Sequence, residues 1–281
     1  MKKTNIKNKK IINNLFKYGY CIVDNVIDAK KCNLIIKNLE RLTNKTFKNK
    51  YFFNELSQQG QIVIRDLPLR DPKNFLSLID NKFVMEVLDA IFKETFILDN
   101  CMISKAINVK KKFHKLPHID SHLPCKSVKD TSDVVVCYCF DDFTRENGAT
   151  KIWPKSHLSG VRIQNNKNYA RKIKNNFKCL EAKKGSIIIL LGQTWHQIGE
   201  NINSKSRWGV LCHYKRWWIK PSTDWTKCGA KIYNLLNKRQ KELFGFTSLS
   251  PSFNFKKKIR TLKTLRKPLN LILNYSKAIQ Y

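Results

Sequence analysis

Long hydrophobic runs are missing from this sequence. The longest are Val134–Phe140 and Ile187–Leu191, far short of the ~18 residues a membrane-spanning helix needs. Near the N-terminus, Ile11, Ile12, Leu15 and Phe16 are interrupted by Asn13 and Asn14, so no continuous export signal is expected there. Glycine and proline are sparse, at 10 and 8 in 281 residues, which excludes a collagen-like or low-complexity chain. Paired cysteine motifs are absent too. The nine cysteines are odd in number and include no Cys-x-x-Cys, so neither a disulfide framework nor a zinc ribbon is indicated. Reduced thiols acting as small hydrophobes fit better, and the expected location is cytoplasmic.

Acidic residues are also few. Lys and Arg number 54 against 21 Asp and Glu, for a formal charge of +33. Such an excess invites a polyanion partner. However, 43 of the 54 are Lys, and Asn, Ile and Phe are abundant as well. All four residues have AT-rich codons, so base composition can supply much of the charge. With 42% hydrophobic and 11% aromatic residues, the chain has the material for a packed core.

The expected organisation is a single domain over 1–281, with a basic leader (1–10), a core (11–220) and a helical, basic C-terminal extension (221–281). Phe16–Asp24 reads as a turn into a strand that pivots on Gly19. Ala29–Leu42 has helical spacing, with Asp28 as N-cap. Gln61–Leu67 reads as a short strand, Pro72–Ile79 and Lys82–Lys93 as helices, and Glu94–Asn108 as strand-rich. Short strands follow at Asp133–Phe140, Ala149–Trp153, Phe177–Glu181, Ser186–Leu191 and Arg207–Trp218, separated by polar turns. Helix returns at Cys228–Phe244, and Phe255–Lys267 is a basic tail. This texture predicts a mainly β fold with flanking helices, a double-stranded β-helix or jelly roll of the cupin type.

The chemistry concentrates in Lys115-Leu-Pro-His-Ile-Asp-Ser-His122. In an extended chain, His118 and Asp120 project to the same side. One imidazole and one carboxylate can then occupy adjacent positions on a metal. His196, which follows the apolar strand Ser186–Leu191, is the candidate third ligand. Two His and one carboxylate on one face leave open positions, the arrangement of non-haem Fe(II) oxygenases. Arg207 lies eleven positions after His196, across the polar turn Gly199–Lys205. There a guanidinium can clamp one end of a dicarboxylate whose other end chelates the metal. 2-Oxoglutarate has that shape.

Taken in order, these segments resemble the phytanoyl-CoA dioxygenase family of Fe(II)/2-oxoglutarate oxygenases. Besides His-x-Asp, the distal His and the Arg, three stretches are similar to family segments. They are Tyr18-Gly-Tyr-Cys-Ile-Val-Asp-Asn-Val26, Glu146-Asn-Gly-Ala-Thr-Lys-Ile-Trp-Pro-Lys-Ser-His157 and Trp195-His-Gln-Ile-Gly-Glu-Asn201. The resemblance covers about residues 12–220. It implies a dioxygenase (hydroxylase) in which His118, Asp120 and His196 are catalytic metal ligands for Fe(II) and Arg207 binds 2-oxoglutarate as co-substrate with O2. Decarboxylation to succinate and CO2 would accompany hydroxylation of a C–H bond. The carboxylate at Asp120, which related halogenases lack, points to hydroxylation over halogenation. Two departures stand out: Lys155 replaces the usual Gly of the Pro-Gly-Ser-His turn, and Ile198 replaces a common Ser.

The expected substrate is a small-molecule or lipid/sugar-type metabolite, an anionic one among the options, with Asn147, Thr150 and Trp195 as candidate pocket residues. Lys126, Lys129, Arg171 and Lys172 could meet an acyl-CoA or a phosphate. His157 is expected to bond backbone, His213 has no assigned role, and Trp195, Trp208, Trp217 and Trp218 read as packing. Nucleic acid is not the expected partner. The alternatives are a nucleic-acid-binding or nucleic-acid-modifying protein, which requires basic residues to converge on the pocket mouth, and a non-catalytic metal-binding jelly roll. Oligomeric state stays open.

Overall fold

The run Asp133-Val-Val-Val-Cys-Tyr-Cys139 is buried at every position. A strand with no polar alternation must be covered on both faces. The computed structural model, which describes residues 6–46, 60–108, 116–121, 123 and 125–247, shows what covers it. One face, with Val134, Val136 and Tyr138, packs into a large core shared with the helices, while Val135, Cys137 and Cys139 belong to a second cluster on the opposite face. The two cysteines share that face, as the i, i+2 spacing predicts.

Six strands form the main sheet: β1 (Tyr20–Val23), β2 (Gln61–Ile64), β3 (Phe96–Ala106), β4 (Asp133–Cys139), β7 (Ile187–Leu191) and β9 (Arg207–Arg216). Their order is β1-β7-β4-β9-β3-β2, and every pairing is antiparallel. A second sheet has the order β6-β5-β8, built from Lys178–Cys179, Lys151–Ile152 and His196–Gln197. The fold is the expected jelly roll with flanking helices.

The helices cover one face of the main sheet. Lys82–Phe92 is the clearest case, because Val84, Val87, Leu88 and Ile91 recur at i, i+3, i+4 and i+7 and are all buried. Asn81 caps it by accepting from the Val84 N–H at 3.2 Å. Each such side chain contributes about 1.5–3 kcal/mol through burial. The helix Pro72–Ile79 is tied to the sheet through its C-terminal carbonyls. Tyr138 donates to Leu78 O at 2.6 Å and Tyr214 donates to Ile79 O at 2.8 Å.

Several boundaries differ from expectation. The first helix runs Ile6–Tyr18 and takes in residues 6–10 of the expected leader, because Ile11 and Leu15, one turn apart, are buried. The helix expected over Cys228–Phe244 is broken into Gly229–Tyr233 and Lys238–Leu243. Asn237 starts the second piece through a reciprocal capping box with Gln240, an Asn preference that competes with helix continuation. Trp208 is buried as expected, but Trp218 is exposed. The basic tail Phe255–Lys267 lies outside the described residues. Among those residues, no helix is long and apolar enough to cross a membrane.

Candidate active site

On the sheet face away from the helices, alternation selects the side chains. From β9 come Arg207, Leu211 and His213; from β4, Val135 and Cys137; from β7, Ile188 and Leu190. With Met102 and Ser104 of β3, Gln61 and Val63 of β2, and Arg65 just beyond it, they line a cavity of about 260 Å³. His118, Asp120, Thr150, His196 and Ile198 complete its walls.

The candidate ligands come from two segments that meet as strands. His118 and His196 face each other in an antiparallel bridge. They exchange backbone hydrogen bonds at 2.9 Å in both directions. Directly opposed residues hold their side chains close on one face, and here the rings are 4.3 Å apart between centroids. Two residues on, Gly192 O accepts from the N–H groups of Asp120 and Ser121, both at 3.0 Å. These bonds carry Asp120 back to the same point. Its carboxylate lies 3.7 Å from His118 Nε2 and 3.3 Å from His196 Nε2. One ligand atom from each residue falls within 4.8 Å of the others, so the three can hold a metal ion.

Gly192 cannot carry a side chain, since a Cβ there would sit 1.4 Å from Asp133 Oδ1. His196 is oriented from behind, with Nδ1 3.0 Å from Thr194 O. A carbonyl only accepts, so Nδ1 carries a proton and Nε2 is the atom that faces Asp120 and the cavity, where it can hold either a proton or a metal ion. Burial alone would raise the Asp120 carboxyl. The charge and hydrogen bond of His196, with His213 and His118 beyond, instead pull it well below the usual carboxylate range. Burial would lower His196, but Asp120 and the Thr194 carbonyl outweigh it and raise the imidazole. Both shifts arise from the same contact, in which each group favours the charged form of the other.

Arg207 opens β9 and is only 2% exposed. The turn before it is pinned by Asn201, whose amide donates to Ala106 O at 3.2 Å and Lys205 O at 2.9 Å. The guanidinium donates to Gly148 O at 2.5 Å and lies 3.9 Å from the Phe143 ring centroid. Burial lowers its proton affinity, partly offset by the nearby Cys137 and Cys139 thiols and by Asp141. Its Nε has no hydrogen-bond partner, and no carboxylate among the described residues forms an ion pair with it.

Of the three candidate pocket residues, Thr150 lines the cavity and the other two do not. Asn147 spends its side chain on a turn, accepting from Thr144 N–H at 2.8 Å and donating to Asp142 O at 2.7 Å. That turn presents the Gly148 carbonyl to Arg207. Trp195 packs with Ile119, Trp153 and Ile163, and its indole donates to Val161 O at 3.0 Å. Its backbone N–H is held by Ser156 Oγ at 2.9 Å, so the Pro-Lys-Ser-His turn fixes the strand that carries His196. His157 Nε2 meets Phe16 O at 3.0 Å, the backbone role expected of it.

His213 was missed. It lines the cavity, and its Nε2 is shielded from solvent without a partner. The available signal was its position, six residues after Arg207 and therefore on the same strand face. Phe143 left no signal in the sequence. Lys126, Lys129, Arg171 and Lys172 are not among the cavity-lining residues.

The comparisons with known proteins agree with this geometry. The phytanoyl-CoA dioxygenase (PhyH) family model matches residues 16–209. An uncharacterized protein of Mycobacterium tuberculosis is 23% identical over 240 residues, covering 82% of this chain and 84% of that one. HygX from Streptomyces hygroscopicus, solved with nickel and 2-oxoglutarate bound, superposes with a TM-score of 0.60 at 11% identity, over 75% of this chain and 88% of that one. EctD from S. alaskensis, solved with bound Fe, gives 0.59 at 14% identity, over 79% and 82%. The family match spans every segment that brings a side chain to the cavity from Gln61 to Arg207, and on it the chain belongs to the phytanoyl-CoA dioxygenase family of Fe(II)/2-oxoglutarate-dependent oxygenases.

Proposed function

We propose that the protein hydroxylates a C–H bond of a small molecule, with Fe(II) held by His118, Asp120 and His196 and 2-oxoglutarate by Arg207. The donor set suits the metal, since two imidazoles and one carboxylate on one face leave positions open for further ligands. The observation that carries the reading is the guanidinium. A buried cation without a carboxylate partner is costly, and Arg207 lies in the same cavity wall as the three ligands. The far carboxylate of 2-oxoglutarate would satisfy it through a charge-assisted fork.

When bound, the iron supplies the O2 activation that decarboxylates 2-oxoglutarate to succinate and CO2 and oxidises the substrate. This chain's residues do the placing. Thr194 fixes the His196 tautomer, and Gly192 fixes the segment that carries Asp120. Phe143 and the Gly148 carbonyl hold the guanidinium flat. Ile188, Leu190, Val135 and Leu211 form an aliphatic wall that excludes water from the reacting C–H. Among the described residues, Arg65 and Arg207 are the only Lys or Arg lining the cavity, which supports a small ligand over a polyanion.

The test is an anaerobic titration with Fe(II), followed by admission of air in the presence of 2-oxoglutarate. Stoichiometric binding and succinate release that is lost in H196A are expected. A protein that neither binds Fe(II) nor releases succinate would overturn the proposal.

A further inference from the structure

The cavity is chemically two-sided. Across the main sheet, Met102 pairs with Leu211, Leu211 with Cys137 and Cys137 with Ile188. The wall toward β7 is therefore aliphatic. The wall toward the β2 edge carries the polar groups, with Gln61 donating to Ser104 Oγ at 2.8 Å, Val63 between, and Arg65 following at the rim. Gln61 pairs with Ala106, which pairs with Arg207, so Gln61 is level with the buried guanidinium. Arg65 lies four residues further along, about 13 Å in strand geometry.

Charge then decides what Arg65 is for. Asp120 is the single carboxylate among the described residues lining the cavity, and a metal at the three ligands would neutralise it. Once 2-oxoglutarate has one end on Arg207 and the other on the metal, none of its carboxylates is left for Arg65. No acidic side chain among the described residues forms an ion pair with Arg65, and the side chain is exposed at the cavity. Its backbone carbonyl is used, accepting from Arg70 at 2.7 Å, and this bond ties the residue to the short helix that follows.

We infer that Arg65 receives the anionic group of the substrate, a small acid with an aliphatic portion that lies against Met102 and Leu211. This deepens the proposed function and rests on it. The acid class is a carboxylate or a phosphate ester, since a guanidinium fork accepts either. The cavity of about 260 Å³ must also take the co-substrate, which selects for a short aliphatic chain.

Hexanoate, hexyl phosphate, hexanamide and hexylamine serve as probes. Their binding to the Ni(II)/2-oxoglutarate-loaded full chain is measured by calorimetry. Succinate release above the substrate-free background is measured with Fe(II). At least one of the two acids is expected to bind and to stimulate turnover about tenfold or more over hexanamide, the value of a charge-assisted hydrogen bond. R65Q is expected to collapse that acid-to-amide ratio, R65K to retain part of it, and R65E to turn preference toward hexylamine. R171Q, away from the cavity, is expected to keep the wild-type ratio. Equal response to acid and amide, an unchanged ratio in R65Q, or binding of neither acid would overturn the inference. Loss of the substrate-free succinate release in the wild type would instead overturn the oxygenase assignment on which it rests.

Discussion

Gly192→Ala puts one methyl group where the structure has no room for it. The added Cβ would lie 1.4 Å from Asp133 Oδ1, 2.6 Å from its Cγ and 3.0 Å from its backbone oxygen. Asp133 is 4% exposed, and its other carboxylate oxygen is held by Ser132 Oγ at 2.8 Å, so its escape is restricted. Gly192 is also fixed, with its N–H donating to Asp133 O at 2.8 Å. Overpacking of this kind costs about 1–3 kcal/mol. If Gly192 retreats, its carbonyl leaves the N–H groups of Asp120 and Ser121, at about 0.5–1.5 kcal/mol for each bond weakened. The expected loss is roughly 2–6 kcal/mol of stability. Displacing Asp120 should weaken metal binding by about 10–100-fold, as removing support from a ligand does. Urea unfolding gives the first quantity, and Ni(II) calorimetry on the folded variant gives the second. The double variant G192A/D133A removes the carboxylate that the methyl strikes, and should recover part of both. A G192A protein with wild-type unfolding midpoint and wild-type metal affinity would refute the reasoning.

Three further outcomes can be checked. Arg207→Lys keeps the charge but loses the fork, and should raise the KM for 2-oxoglutarate by about 10–100-fold, the value of one charge-assisted hydrogen bond; steady-state succinate release measures it. Asp133→Asn should remove a pH dependence. Burial, helped by the nearby Asp120 charge, raises the Asp133 carboxyl from 3.8 to about 6 against its Ser132 and Ser121 hydrogen bonds and Lys215. Between those values the unfolded chain has lost the proton and the folded chain still holds it, so stability falls as pH rises through that window and levels off above it. That loss, about 3 kcal/mol at most, should be present in wild type and absent in the variant when urea midpoints of the metal-free proteins are compared from pH 4 to 7. Lys155→Gly should stabilise by about 0.5–1 kcal/mol in the same assay. Lys155 sits at φ 68°, a left-handed conformation that costs a residue with a Cβ about 1–2 kcal/mol, while glycine loses part of that gain to its freer unfolded chain.

Much of this arrangement is legible in the sequence. The period-3.6 pattern of Lys82–Phe92 and the unbroken run of β4 announced their elements, because burial on one face or two leaves a direct imprint on residue order. His118, Asp120, His196 and Arg207 were legible for a different reason. His-x-Asp spacing puts two side chains on one side of an extended segment, and His196 and Arg207 flank a polar turn between strands, the spacing that a metal and a dicarboxylate would require. Asn147 and Trp195 misled because segments that build a site also contain residues that only hold its frame. Asn147 serves a turn and Trp195 a packed cluster, and sequence order does not separate framing from lining. Phe143, under the guanidinium, was invisible because contact across the cavity wall depends on tertiary closure. His213 needed only the alternation of β9 carried three steps past Arg207.

That alternation has a consequence for changes in chain length. Within β9, Trp208, Val210, Cys212 and Tyr214 serve the helix-covered core, while Arg207, Leu211 and His213 serve the cavity. A single residue inserted between Val210 and Leu211 would turn everything beyond it over, sending His213 toward the core and Tyr214 toward the cavity. The turn before Arg207 answers to a different restriction, since an insertion at Ile202 or Asn203 leaves every strand face unchanged but disturbs the bonds from Ile202 N–H to Glu146 O and from Asn203 N–H to Asn201 Oδ1 that hold the turn. A change in length therefore exchanges core and cavity faces on one side of Arg207 and loosens the turn that positions it on the other, and that guanidinium marks the boundary between them.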